Sequence, residues 1–285
     1  MTTDETDTGG VTDYSTITYG VAEAIATITL NRPHARNGFT LAMADELGHA
    51  VTAADRDDAV RVILLTAVGD YFCVGMDFAE PSIGDIGDPD WDEPSTRVAR
   101  PITNSNKPVI VACPGPAVGV GVSITLAADF RLASDRARFG FVFARRGLFP
   151  EGGSTWFLPQ LVGLAKAKEW MLTGRLIPAE EALSAGLITS VHSPDELLPA
   201  AYDLARDLAV RIAPASAALV RRALVAMTAH GDPEAAFALD RKSIPHASTS
   251  SDLAEGISSF LEKRPPRFTG VARTDLPALD EWLRP

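Results

Sequence analysis

From Pro108 to Ala128 the chain reads PVIVACPGPAVGVGVSITLAA, 21 residues without a single charge. A run of this length and character could cross a bilayer as a helix. Pro114, Gly115 and Pro116 interrupt it in the middle, however, and such a break stops a helix or strand from passing through. The segment therefore reads as a buried strand, a loop and a buried helix. A chain of 285 residues that is 46% hydrophobic can enclose a core large enough to hold it.

Composition narrows the class. Cys73 and Cys113 are too few for a disulfide framework and lack metal-ligand spacing, and no charged start, apolar run and cleavage site open the chain. A cytoplasmic protein without membrane partners is expected. The net charge of −11 argues against nucleic acid, whose phosphates supply most of the affinity in such complexes. Ten of the 37 acids lie in two stretches free of Lys and Arg, residues 1–13 and 80–93. The remaining 27 acids face 26 bases, so the body is nearly neutral and an anionic ligand is compatible with it.

The pattern along the chain is α/β. A polar, acidic tail over 1–13 gives way to strands in STITY, AEAIATITL and VRVILLTA, with a helix over 40–54 between the second and third. Thr40 caps that helix, and Leu41, Ala44, Leu47 and Val51 share one face. Residues 81–94, PSIGDIGDPDWDEP, form a loop with Trp91 as its one large anchor, either a lid over a site or a solvated excursion. Then follow a strand in PVIVAC, a helix in GVSITLAA, strands in DFRLAS and RFGF, and the loop GLFPEGGS. Helical patterns dominate from Ser154 onward, and the domain plan is a core over 14–212, a helical region over 213–270 and an extension over 271–285.

The common catalytic signatures are missing: there is no GxSxG, HExxH, P-loop or GxGxxG, and the five histidines are scattered without ligand-like pairing. No metal site is expected. Three loops remain. In YFCVGMDF (71–78), Gly75 either makes a tight turn capped by Asp77 or holds the backbone open so that the Met76 N–H meets a ligand oxygen. In GPAVGVGVSITLAAD (115–129), a glycine-rich turn enters a helix, either a close-packed helix start that needs small residues or a place where free N–H groups favour an anion. Two such loops together describe an oxyanion hole. In GLFPEGGS, Glu151 either complements a helix dipole or serves as a base desolvated by Phe141, Phe143, Phe149 and Trp156, its neighbours in sequence.

These segments, in this order, resemble the enoyl-CoA hydratase/isomerase, or crotonase, family over about Ser15 to Phe268. The likeness is carried by LNRPHARNGFT, YFCVGMDF, KPVIVACPGPAVGVGVSITLAADFRLAS, FGFVFARRGLFPEGGSTWFLPQLVG, LTGRLIPAEEALSAGLITSV and FLEKRPPRF. The resemblance implies a spiral of repeated ββα units with a C-terminal helical region that packs trimers, often paired into hexamers. It implies an acyl-CoA substrate, with coenzyme A belonging to the substrate and no separate cofactor. The thioester oxygen would be held by the backbone N–H groups of Met76 and Val120, the latter where the family usually has glycine. Lys263 would meet coenzyme A phosphates, and Ala35 and Arg36 would flank the adenine.

Departures from the family pattern bear on the reaction. Where hydratases of the family carry two glutamates, this chain has Ser123 and Phe143, which with Phe149 and Trp91 are expected to line the substrate pocket. GLFPEGGS resembles the 3-enoyl-CoA isomerases of the family, whose glutamate matches Glu151. The resemblance thus implies a single-acid proton shuttle that moves a double bond from position 3 to position 2. The alternatives are hydration, with Glu151 alone or helped by Glu80 or Asp85, and a non-catalytic acyl-CoA-binding protein.

Overall fold

In a computed structural model, residues 13–79, 87–89, 91–276 and 279–283 are described, and the acidic tail call over 1–13 lies almost wholly outside them. Five parallel or antiparallel pairings build a six-stranded sheet in the order β1 (Ile17–Ala22), β2 (Ile25–Leu30), β3 (Val62–Ala67), β4 (Val109–Cys113), β6 (Phe130–Ser134) and β9 (Ser190–His192). Only β1 and β2 run antiparallel; every later neighbour is parallel. Parallel neighbours need crossovers, and α1 (Leu41–Arg56) supplies the one between β2 and β3. Thr40 caps α1 as expected, its Oγ1 accepting from Met43 N at 3.1 Å.

The period-2 geometry of strands sorts the apolar residues onto two faces. Ile63 and Leu65 of β3 pack with Met43, Leu47 and Val51 of α1 in the larger core. Val62 and Leu64 turn the other way, against Leu197, Ala201 and Ala205 of α7 (Pro194–Arg211). Both faces are therefore covered, which explains why β3 and β4 are buried along their whole length. The charge-free run beginning at Pro108 supplies the central strand β4, and among the described residues no helix is long and apolar enough to cross a membrane.

A second, three-stranded sheet lies in the order β5 (Ala117–Val118), β7 (Arg138–Gly140) and β8 (Leu176–Pro178). Two isolated bridges extend this layer, Cys73 to Ala117 and Phe39 to Met76, so it runs on from β5 into the 71–78 loop. The helix expected in GVSITLAA is shorter than its pattern suggested. Only α3 (Val120–Ser123) is helical, and tight turns follow with bonds from Thr125 N to Val122 O and from Leu126 N to Ser123 O. Val122, Ile124 and Thr125 are β-branched and favour a helix poorly. The buried Arg131 guanidinium also takes the Ala128 carbonyl, ending the segment in place of a further helical turn. Sequence patterns also passed over α2 (Thr96–Asn104), whose interior holds Pro101.

Beyond the sheets come α4 (Ser154–Val162), α5 (Leu164–Thr173), α6 (Ala179–Ser184) and, after α7, α8 (Pro214–Met227), α9 (Glu234–Ala247) and α10 (Ser251–Glu262), with two one-turn helices, α11 (Ala272–Asp275) and α12 (Leu279–Trp282), near the C-terminus. Arg221 fastens α8 to the body. Its guanidinium pairs with Asp129 and donates to the carbonyls of Ile102 and Ser105, and its side chain is only 6% exposed.

Candidate active site

The two loops expected to supply backbone donors are brought side by side. Cys73 bridges Ala117, and Val118 N donates to Cys73 O at 2.9 Å, so the chains leave that pairing in step. Three residues past each partner lie Met76 and Val120. Neither N–H has a protein partner among the described residues: the bridge from Phe39 to Met76 is bonded through Gly75 O and Asp77 N, leaving the Met76 N–H unused, and Val120 begins α3. Gly75 makes the turn possible at φ 103°, and a Cβ on it would stand 3.1 Å from Val118 O.

Gly121 lets the two loops approach. A Cβ there would fall 2.3 Å from Cys73 O, a backbone atom that cannot swing aside. Gly121→Ala is therefore expected to push α3 away from the 71–76 loop, lowering stability by about 1–3 kcal/mol. Activity should fall at least tenfold as the donors separate, by roughly the reasoning that ångström misplacements are costly. Thermal unfolding and steady-state kinetics on the same preparation check both parts.

Met76, Val120 and Glu151 line one cavity of about 990 Å³. Glu151 reaches it from a loop that the sequence bends sharply: Gly147 turns left-handed after a short 3-10 segment, Pro150 stiffens the approach, and Gly152 and Gly153 are both left-handed before α4 starts. The Glu151 carbonyl accepts from Ser154 N at 2.9 Å. Its side-chain carboxyl has no hydrogen-bond donor and no cation within bonding distance among the described residues. It accepts from no helix amide among them: Ser154, Trp156 and Phe157 N at the start of α4 donate to the carbonyls of Glu151 and Gly153 instead. Burial, and secondly the charge of Glu93, push its pKa up to about 7.

The apolar surroundings differ from those suggested by neighbours in sequence. Phe143 lines the cavity and is buried, and Phe149 lines it while remaining 90% exposed at the rim. Phe141 instead faces the core and stacks on Trp170, and Trp156 turns outward, edge-on to Phe157. Val74, Met76, Val142, Leu148 and Trp91 complete most of the apolar wall. Ser123 requires correction as a pocket residue. It is fully buried, its Oγ donates to Gly119 O, and Gly152 with Ser95 packs over it.

The residues assigned to coenzyme A by resemblance lie outside the cavity lining. Ala35 ends a 3-10 turn, Arg36 follows in left-handed conformation with its guanidinium 5.5 Å from the Tyr71 ring centre, and Lys263 terminates α10 as an exposed residue. Glu80 and Asp85, the acids suggested as helpers in hydration, lie outside the described residues. Sequence reasoning missed Glu93, which lines the cavity beside Pro94 and Thr96. It had been counted only as one charge of an acidic loop. Its signal was its position just before Pro-Ser-Thr at the start of α2, where an acid can accept the first free amides.

Cys73 and Cys113 offer no nucleophile, because burial pushes both thiols up to about 12. Among the described residues no group of three His, Cys, Asp or Glu side chains could hold a metal ion.

Comparison with known proteins identifies the family. The enoyl-CoA hydratase/isomerase family matches residues 20–271. Enoyl-CoA hydratase AFT3-1 of Alternaria alternata is 38% identical over 256 residues, 88% of this chain and 85% of that protein. The 1,2-epoxyphenylacetyl-CoA isomerase of Escherichia coli K12 is 34% identical, over 88% of this chain and 97% of its own. Among solved structures, an enoyl-CoA hydratase from Bacillus anthracis superposes with a TM-score of 0.82 at 29% identity, covering 90% of this chain and all of that one. With its mixed α/β body, its helical C-terminal region and a match across most of its length, the chain belongs to the enoyl-CoA hydratase/isomerase, or crotonase, family of enzymes.

Proposed function

We propose that this enzyme isomerises a 3-enoyl-CoA to the 2-enoyl-CoA. The observation that carries the reading is Glu151, a carboxyl in a largely apolar cavity with neither donor nor cation within bonding distance among the described residues. Desolvation makes such a carboxylate a stronger base than one in water. Glu151 removes a proton from C2, and the electrons move into the thioester to give a dienolate whose oxygen is held by the Met76 and Val120 N–H groups. The same carboxyl then returns the proton at C4, leaving the double bond between C2 and C3. One acid suffices, because the proton that leaves is the proton that comes back.

The names of several relatives favour a second reading, hydration of a 2-enoyl-CoA, in which Glu151 activates the water. Hydration also needs a proton for C2, and Glu93 is poorly suited to give it, with its oxygens already bonded to Ser95, Thr96 and Gly152. Absorbance of the conjugated enoyl thioester separates the two. Isomerisation of a 3-enoyl-CoA creates the band, and hydration of a 2-enoyl-CoA bleaches it. Bleaching at a rate far above band formation would reverse the assignment. Saturable acyl-CoA binding without turnover would instead favour a binding protein.

A pH dependence follows from Glu151. Only its ionised form can accept the C2 proton, so kcat/KM should rise with pH through about 7 and level off above it. A profile already flat from pH 5 upward would assign proton abstraction to a different group. Ala35, Arg36 and Lys263 as coenzyme A contacts, and assembly into trimers or paired trimers, belong to the same proposal. The exposed Leu224, Ile257, Phe260 and Leu261 on α8 and α10 support an assembly through the C-terminal helices.

A further inference from the structure

We propose that Glu93 is a positioning residue for Glu151: its carboxylate fastens the Glu151–Gly152 peptide to the start of α2 and sets a negative charge facing the Glu151 carboxyl. The inference rests on Glu151 being the proton carrier.

The geometry has three parts. First, Glu93 and Glu151 line the same cavity from opposite loops, one before α2 and one before α4. Second, Gly152 N donates to Glu93 Oε2 at 3.3 Å, and that N–H belongs to the peptide plane shared with Glu151. The carbonyl of the same plane accepts from Ser154 N, so the peptide is held on both sides and the Glu151 side chain leaves a fixed backbone. Third, Glu93 is itself immobilised. Its Oε1 accepts from Ser95 N at 2.9 Å, and its Oε2 accepts from Ser95 Oγ at 2.5 Å and from Thr96 N and Oγ1 at 3.0 Å each. Five donors around one carboxyl group make an anchor. The packing is close as well, since a Cβ on Gly152 would meet Ser95 Oγ at 2.8 Å.

The charge matters because of what else faces Glu151. Cys73 of the 71–78 loop interacts with it only as a neutral, buried thiol. Arg145 and Arg146 line the same cavity, yet neither forms an ion pair with Glu151 among the described residues. Among the described residues Glu93 is thus the like charge acting on Glu151, in the same direction as burial. A like charge nearby disfavours ionisation of Glu151, and so strengthens its hold on the proton between removal from C2 and return at C4.

Steady-state kinetics of the full-length enzyme across pH 5 to 9 test the proposal. Glu93→Gln removes the charge and leaves the side-chain length, so the midpoint of kcat/KM should move down by roughly one pH unit. With the clamp altered, kcat at pH 8 should fall about tenfold. A purely structural side chain would lower kcat without moving the midpoint, so an unmoved midpoint overturns the proposal. Glu93→Asp keeps the charge but shortens the arm. Its midpoint should stay near that of the parent while kcat drops, and an unchanged kcat overturns the clamp even if the Gln variant fails to fold. Glu151→Gln, measured in parallel, separates the two readings: full activity there removes Glu151 as the carrier, whereas its inactivity with an unmoved Glu93→Gln midpoint removes only the role of Glu93.

Discussion

Glu151→Gln is expected to lower turnover of a 3-enoyl-CoA by about 10²–10⁴-fold, the range general acid–base catalysis contributes. Glutamine has nearly the shape of glutamate and fills the same place between Pro150 and Gly152, so acyl-CoA binding should survive. Loss in kcat with little change in the dissociation constant is the signature of a group that acts in the transition state. Turnover near the parent level would remove Glu151 from the chemistry.

The same variant carries a stability prediction of opposite sign. Glu151 titrates in the folded protein at about 7, above the usual carboxyl value. Below the unfolded value both states are protonated and the substitution is nearly neutral. As pH rises, the unfolded chain ionises first and is favoured, and the penalty grows until the folded carboxyl ionises too, near pH 7. Above that, Glu151→Gln should be more stable than the parent by on the order of 1–3 kcal/mol. Denaturant unfolding at pH 5 and pH 8 would reveal the difference, and equal stability at both would mean that the carboxylate is not desolvated. A carboxyl kept at that cost has a use in function.

How much of this could be read from the residues alone depends on the range of the interaction. Elements with strong local patterns were legible: Thr40 and the apolar face of α1, the β-branched runs of β3 and β4, the proline-started helices α7 and α8. Gly75 and the run after Gly115 marked the two loops that the Cys73–Ala117 bridge sets side by side and that are proposed to supply the donors, because close backbone approach needs small residues. The walls of the cavity were legible only in part: Phe143, Phe149 and Trp91 line it, whereas Ser123 and Phe141 do not. Phe141 and Phe143 are two residues apart and differ in surroundings, one stacked in the core and one against the cavity, and neighbours in sequence cannot decide which. Ser123 was misplaced for a similar reason. In α3 its side chain faces Gly119 O and the underside of Gly152. Glu93 was hidden because its partner Gly152 lies 59 residues away, a contact made only when the loops before α2 and α4 meet.

Val120→Pro tests the oxyanion hole without touching any side-chain chemistry. Backbone donors cannot be removed by ordinary substitution, but proline has no N–H, and Val120 is the first residue of α3, where proline is well tolerated and no intrahelical bond is lost. The preceding Gly119, at φ 57° and ψ −126°, has the backbone freedom to accommodate the ring. The variant should therefore fold, with a thermal midpoint within a few degrees of the parent. Turnover should fall by about 10²–10³-fold, the loss found when one donor of such a pair is deleted. Met76 N–H would remain, which is why some activity should survive. The comparison with Val120→Ala is decisive, since alanine also shortens the buried side chain but keeps the donor, and only loss of the N–H should produce the large effect. Equal activity of the two variants would mean that the thioester oxygen is held elsewhere, and a proton removed by Glu151 would then leave its charge without the pair of amides that the Cys73–Ala117 pairing brings together.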